Sequence, residues 1–217
     1  MSGVIVFGAG GRVGRAAVSE ALRRGYEVTA VVRNPDRHGD LAAAGARLRE
    51  GDVTDPGSVA QLAAGHDAAI HAAYDAGSPA DVFFPAAARA LVNGLARAGV
   101  GRLVVVGLAA LLETPDGTRL LDAPTFPPQY RPFALAHAAG AAVLRDSPAA
   151  PDWIVVSPAG DFAPDGPRSS GYRLSPADPG ARITPEDFAL ALLDEIDTPR
   201  HHRVQLGVAP RGNSRGN

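Results

Sequence analysis

Apolar positions along the chain fall into short runs separated by stretches with a helical repeat. Val4-Ile5-Val6-Phe7 is one compact run, and it stops at Gly8. Over residues 12–25, Val13, Ala17 and Ala21 recur at the spacing of one helix face, and Gly25 suits the position just past a helix end. The alternation continues with strands over Glu27–Val32, Ala46–Arg49 and Asp67–Ala73. Between them lie a short Ala-rich helix over 37–45 and a helix reaching about Ala64, opened by Asp55 as cap and Pro56 in the first turn. Residues 80–98 predict the best helix, with Phe83, Ala87, Ala90, Leu91, Gly94, Leu95 and Ala98 on one stripe. A β-branched run predicts a fifth strand over Arg102–Val106. Residues 108–128 read as a Pro-rich loop and 131–146 as a helix. Trp153–Val156 predicts a sixth strand, stopped by Ser157-Pro158. Residues 159–182 are irregular, with Gly171–Leu174 a candidate short strand. Thr184-Pro185-Glu186-Asp187 fits a capping box ahead of Phe188, Leu192 and Ile196, and Val204–Val208 predicts the last strand.

Strands that alternate with helices predict an α/β domain, a doubly wound parallel sheet of the Rossmann kind. Such a sheet binds ligands at the carboxyl ends of its strands. One domain is expected over 1–209, with a small C-terminal extension on the substrate side. Residues 210–217, nearly free of apolar side chains, predict a disordered tail.

Composition narrows the chemistry. The 21 basic residues are all Arg; there is no Lys and no Cys. That excludes a Schiff-base lysine, a P-loop, a catalytic thiol, a disulfide and Cys-ligated zinc. A net charge of −2 argues against a nucleic-acid partner. No apolar run reaches the ~18 residues of a membrane span, and no secretory signal is visible, so a cytoplasmic protein is expected. His201-His202 are adjacent rather than four apart, and no metal is expected. The oligomeric state is not legible.

The sharpest signal is Gly8-Ala9-Gly10-Gly11-Arg12-Val13-Gly14, which leaves a predicted strand and opens a predicted helix. Gly8 permits the tight exit. Gly10 and Gly11 let a pyrophosphate approach the backbone, and Gly14 lets the helix pack close to the sheet. The helix N-terminus offers amide N–H groups and partial positive charge. In that context the loop predicts a nicotinamide dinucleotide site. Strand two ends in Arg33 where NAD-binding versions carry Asp or Glu for the ribose diol. A guanidinium there pairs with a 2′-phosphate, so NADP is expected over NAD. Asp52 and Val53, past strand three, are candidates for the adenine edge. Ala72 and Ala73 allow close approach after strand four, and Tyr74 borders them.

The segments Val4–Gly14, Val32-Arg33-Asn34-Pro35, Gly51–Asp55 and Asp152–Ala159 resemble the atypical short-chain dehydrogenase/reductases of the NAD(P)H-binding, NmrA-like group. Within that group the chain is similar to NADH-flavin reductases and to the biliverdin/flavin reductase B type. The resemblance implies that Ser157, Pro158 and Ala159 run past the nicotinamide, beside Gly107 and Leu108. It also exposes a departure. Relatives carry a Gly-Gly-Ala-Gly-Ser-Leu-like turn after strand five; here it is Gly107-Leu108-Ala109-Ala110-Leu111-Leu112, with Leu111 at the Ser position. Tyr130 is followed four residues later by Ala134 instead of Lys. Without that cation a Tyr hydroxyl is a poor base at neutral pH.

The expected function is NADP-dependent hydride transfer to a planar conjugated small molecule, a flavin or a quinone-like compound. Candidate catalytic groups are Tyr130 and His137, seven apart on one predicted helix face; an ordinary partly buried histidine is the bland alternative for His137. Leu111, Leu112 and Tyr172 are candidate substrate contacts. Two other functions stay open: a non-catalytic NADP-sensing regulator, and a redox-neutral cyclase or dehydratase on the same fold.

Overall fold

The computed structural model describes residues 2–169 and 171–212. Strand β1 is Gly3–Phe7, followed by helix α1 (Arg12–Arg23), β2 (Glu27–Val32), α2 (Gly39–Ala43), β3 (Arg47–Glu50), α3 (Pro56–Ala63) and β4 (Ala68–His71). The second half holds α4 (Ala80–Ala98), β5 (Arg102–Val106), α5 (Arg131–Asp146), β6 (Asp152–Pro158), β7 (Asp161–Phe162), β8 (Tyr172–Leu174), β9 (Arg182–Ile183), α6 (Pro185–Asp197) and β10 (Val204–Pro210). Single 3-10 turns at Pro35–Arg37, Ala109–Leu111, Leu120–Asp122 and Pro128–Tyr130 punctuate the loops.

The main sheet has the order β3-β2-β1-β4-β5-β6-β10-β8. Every pair is parallel except β10 with β8, where Pro210 sits opposite Tyr172 in antiparallel register. The doubly wound parallel sheet expected from the sequence is present, with one antiparallel pair added at this edge. Among the described residues, the stretch that leads from β6 to β8 holds β7 and no helix, so no helical crossover forces β8 into the parallel sense. A separate two-stranded ribbon pairs β7 with β9. The central strands β1, β4, β5 and β6 are buried on both faces, which explains why they read as mostly apolar runs, whereas the edge strands β3 and β8 are polar and exposed. Val4, Val6, Ile154 and Val156 point to the layer holding α1 and α6, against Ala17, Ala21, Phe188 and Leu192. Ile5, Phe7, Trp153 and Val155 point the other way, to Val59, Phe84, Leu91 and Leu95 of α3 and α4.

Two glycines allow close helix packing on the second layer. A Cβ on Gly94 of α4 would lie 2.6 Å from the Val59 side chain of α3, and one on Gly140 of α5 would lie 3.1 Å from Phe84 of α4. At the C-terminal end the sheet runs further than expected. β10 reaches Pro210, and the Arg211 amide donates to the Gly171 carbonyl at 3.1 Å, so residues 210 and 211 belong to the fold. Residues 213–217 of the expected tail lie outside the described residues. Among the described residues no helix is long and apolar enough to cross a membrane.

Candidate functional site

The crossovers reverse direction between β1 and β4, and the cleft that opens there is the place where such a sheet binds ligands. It has a volume of about 640 Å³. The turn after β1 forms its floor. Gly8 adopts φ +82°, a conformation that costs other residues about 1–3 kcal/mol, and a Cβ there would lie 2.5 Å from the Ala73 backbone. Gly14 packs so tightly under the loop that a Cβ would collide with the Gly8 carbonyl. Gly11 is the N-cap of α1 and brings no side chain to the first-turn amides, which leaves them available to an anion. Space above it is open: a Cβ on Gly11 would have only the Gly8 carbonyl oxygen near it, at 3.5 Å.

Three guanidinium groups, of Arg12, Arg33 and Arg37, gather at the β2 end of the cleft, and His38 lines it beside them. Arg33 reaches across to β4's end and pairs with Asp75 at 2.7 Å. The Asp75 carboxyl is held below its usual range by the Gly77 amide, the Ser78 hydroxyl and then Arg33. His38 sits against Gly10, where a Cβ would lie 2.6 Å from the ring, and contacts Arg15 at 2.8 Å. Arg15 also donates to the Gly10 carbonyl at 3.0 Å and pairs with Asp40, so the loop is braced from outside the cleft. Asp52 lines the opposite wall, its Oδ1 accepting from the Thr54 amide at 2.8 Å and from the Thr54 hydroxyl at 2.7 Å.

The structure brings Gly8, Gly10, Gly11, Arg12, Arg33, Asp52, Val53, Ala72, Ala73 and Tyr74 together around this one cleft. Ala9 and Gly14 lie beneath it, buried, and Val13 packs toward the core. The residues expected on the nicotinamide side are arranged differently. Ser157 is fully buried, its hydroxyl tucked under Gly107 and 3.4 Å from the Gln205 amide nitrogen. Pro158 and Ala159 are buried as well; Ala159 is bonded on both sides, to Val208 and Asp178, because the 175–181 segment closes over it. Leu108 turns into a small cluster with Ala110, Leu121 and Ala134. Ala134, where the resemblance implies a lysine, is fully buried in that cluster.

The proposed substrate and catalytic residues separate. Leu111 lines a small void behind the cleft, whereas Leu112 is buried against Gly207 of β10. Tyr172 lies on the α6 layer, donates to Asp194 at 2.9 Å and lines a different cavity with Arg200 and Arg211. Tyr172 and Leu112 are therefore not part of the same site as Leu111. Tyr130 stands in the 3-10 turn ahead of α5 and is 61% exposed, so it does not share a buried face with His137. His137 stacks on Phe84 with ring centroids 3.7 Å apart, in an aromatic group with Tyr74, Phe83 and Phe133. Burial pushes its imidazole down to about 4, with the nearby His71 adding to the shift.

His38 and the packing of the aromatic group were not legible as site neighbours: nothing in one sequence shows the turn Pro35–Arg37 folding His38 back over Gly10.

A glycine-lined cleft at the switch point of a doubly wound sheet defines a dinucleotide-binding protein of the Rossmann kind. Comparison with known proteins is more specific: a family model described as NAD(P)H-binding matches residues 8–199, and the chain belongs to that family. It is 33% identical over 211 residues to the Bacillus subtilis protein YwnB, described as uncharacterized, covering 94% of this chain and 96% of that one. A solved structure from Burkholderia pseudomallei, described as a candidate exported protein, is 36% identical, with a TM-score of 0.83 over 96% of this chain and all of the other. One from Streptococcus pneumoniae, described as a candidate NADH-flavin reductase, is 29% identical, with a TM-score of 0.81 over 97% of this chain and all of the other.

Proposed function

We propose that the chain is an NADP-dependent reductase of a planar conjugated small molecule, a flavin or quinone-like acceptor. The observation that carries this reading is the cleft itself, cationic at the β2 end through Arg12, Arg33 and Arg37 and aromatic at the β4 end. Bound there, a reduced nicotinamide dinucleotide supplies the hydride, and the protein's part is binding, orientation and electrostatics. The Gly10–Gly11 backbone and the uncapped first turn of α1 hold the pyrophosphate. Arg33 and Arg37 pair with the 2′-phosphate, and Asp75 is the rival that the phosphate displaces from Arg33. Ala72 and Ala73 keep the ring close to the sheet.

Acceptor class follows from the wall chemistry. Tyr74 is 46% exposed and lies parallel to Phe84 at 5.5 Å, a flat aromatic surface at the mouth of the cleft. Aromatic faces favour offset stacking with planar partners. The description of the Streptococcus pneumoniae relative as a candidate flavin reductase supports the same class. With Tyr130 exposed, His137 is the remaining candidate for a hydrogen-bonding group near the acceptor. A cytoplasmic setting, where reduced dinucleotides are regenerated, suits this chemistry. The test is a turnover assay: purified protein with NADPH and a panel of flavins and quinones, followed by the near-ultraviolet absorbance of the reduced nicotinamide. Oxidation with at least one acceptor, faster with NADPH than NADH, is expected. Tight NADPH binding with no oxidation by any acceptor would favour the regulator instead.

A further inference from the structure

A second cavity lies beneath the C-terminal edges of β4, β5 and β6, covered by α4 and α5. Its volume is about 30 Å³, room for about one or two water molecules and far too little for a ring system. The walls are apolar, with Phe84, Leu91, Leu144 and Val155 among them, apart from two imidazoles: His71 and His137. Among the described residues these are the void's titratable lining groups. His71 is the last residue of β4 and is buried; its Nδ1 has no hydrogen-bond partner among the described residues. A buried ring nitrogen left bare is costly, and native proteins satisfy such groups with protein or ordered water. His137 is half-buried on α5, so one side of its ring meets the void and the residue keeps access to solvent. Gly107 and Leu111 also line the void and belong to the turn after β5.

We propose that this void is a water site, with one water held between His71 and His137, and that the three together deliver the proton for acceptor reduction. The inference rests on the reductase reading. In that reaction the acceptor gains a hydride as a new C–H or N–H bond, at the expense of the reduced nicotinamide, which is oxidised. An acceptor oxygen or nitrogen is left with the surplus negative charge. That atom takes a proton from the water as the O–H bond breaks. His137 restores the water by releasing its ring proton and takes another from solvent at its second nitrogen. Both rings are neutral before and after. Burial pushes His71 and His137 down to about 4, so at neutral pH each ring holds one N–H and one lone pair, as a relay requires. His71 is the positioning residue: it orients the water.

Two measurements on the full chain test this. The first is nitrogen-15 NMR of the histidine rings, with NOEs from long-lived water. Both rings are expected to stay neutral at pH 7, and long-lived-water NOEs to both the His71 and His137 rings are expected in wild type, the one to the His137 ring being lost in His71→Phe, which removes the water's other partner. The second is kinetics. His71→Phe and His137→Phe should lower kcat about a hundredfold or more while leaving KM for NADPH unchanged, and should remove the solvent deuterium effect on kcat. His71→Asn, which restores a hydrogen-bonding side chain, should recover part of the rate. If His71→Phe does not fold, His137→Phe, at the half-exposed position, carries the kinetic test. Absence of the water NOE, or wild-type kcat and solvent effect in the Phe variants, overturns the proposal. A wild-type chain that reduces no acceptor overturns the reductase reading and with it the relay, while the NOE alone then decides the water site.

Discussion

At the residue scale, the glycines of the first loop have different jobs. Gly8 and Gly14 are structural, because a Cβ at either meets backbone. Gly11 faces open space at the N-cap, with φ −76° and ψ 168°, which any residue adopts. Gly11→Val should therefore fold with near wild-type stability and lose NADPH binding; calorimetric titration checks the second point and denaturant unfolding the first. Arg33→Asp should reverse the cofactor preference, since a carboxylate repels the 2′-phosphate and accepts from the ribose diol; paired NADPH and NADH affinities measure it, and an unchanged ratio rejects Arg33 as the clamp. Both residues were legible in the sequence, because a turn that must leave a strand and present amides can be written in few ways. His71 was not. It reads as one more sheet residue, and its partner His137 lies on a distant helix that only the α4–α5 packing brings to the same void.

At the element scale, one buried arginine ties three elements together. Arg102 opens β5, and its guanidinium donates to Asp152 of β6 at 2.6 Å, to Glu195 of α6 at 2.9 Å and to the His201 carbonyl at 3.0 Å. Arg102 and Glu195 are each 8% exposed. Arg102→Leu removes the guanidinium from Asp152 and Glu195 and leaves Glu195 to His201 and two backbone amides, so it should cost about 3 kcal/mol in denaturant unfolding, although it lies far from the cleft. Burial raises the Glu195 pKa, but His201 and the backbone amides of residues 200 and 201 outweigh it and leave the carboxyl below its usual range. A depressed carboxyl stabilises the fold above its unfolded value and loses that contribution as pH falls through the folded one. The unfolding free energy should thus drop on acidification below about pH 4, starting from the usual carboxylate value. None of this network was legible: Arg102 sits in a β-branched run, and its partners come from far along the chain. The cap of α6 was half legible. Thr184 does accept from the Asp187 amide at 3.1 Å, but the Asp187 carboxylate does not turn back; it accepts from Ser169 at 2.6 Å and fixes the segment before β8.

At the scale of the whole molecule, alternating apolar runs and helical stripes specified the doubly wound sheet because each strand had to be covered on both faces. The pattern failed where covering stops. At the β10 edge, short strands in an irregular stretch pair antiparallel or form their own ribbon, and Tyr172 is carried to the α6 layer, away from the cleft. Beside the segment expected to run past the nicotinamide, residues 175–181 close over Ala159, a long-range contact with no local signature. What the fold presents is a cleft lined by Gly8, Gly10, Gly11, Arg33 and Asp52 at the switch point, while Ala134 is buried in a small apolar cluster packed by Leu111. The claim that this cleft drives hydride transfer is tested most directly by isotope tracing. The protein is given NADPH deuterated at C4 of the nicotinamide, in protonated water, with the acceptor found to turn over fastest, and product and cofactor are read by mass. With both C4 positions labelled, the expected result is oxidation of the cofactor with loss of one of its two deuteriums at a rate that depends on the acceptor, and appearance of that deuterium in the reduced product wherever the hydride lands on carbon. Label retained in unoxidised cofactor, whichever flavin or quinone is supplied, would contradict it.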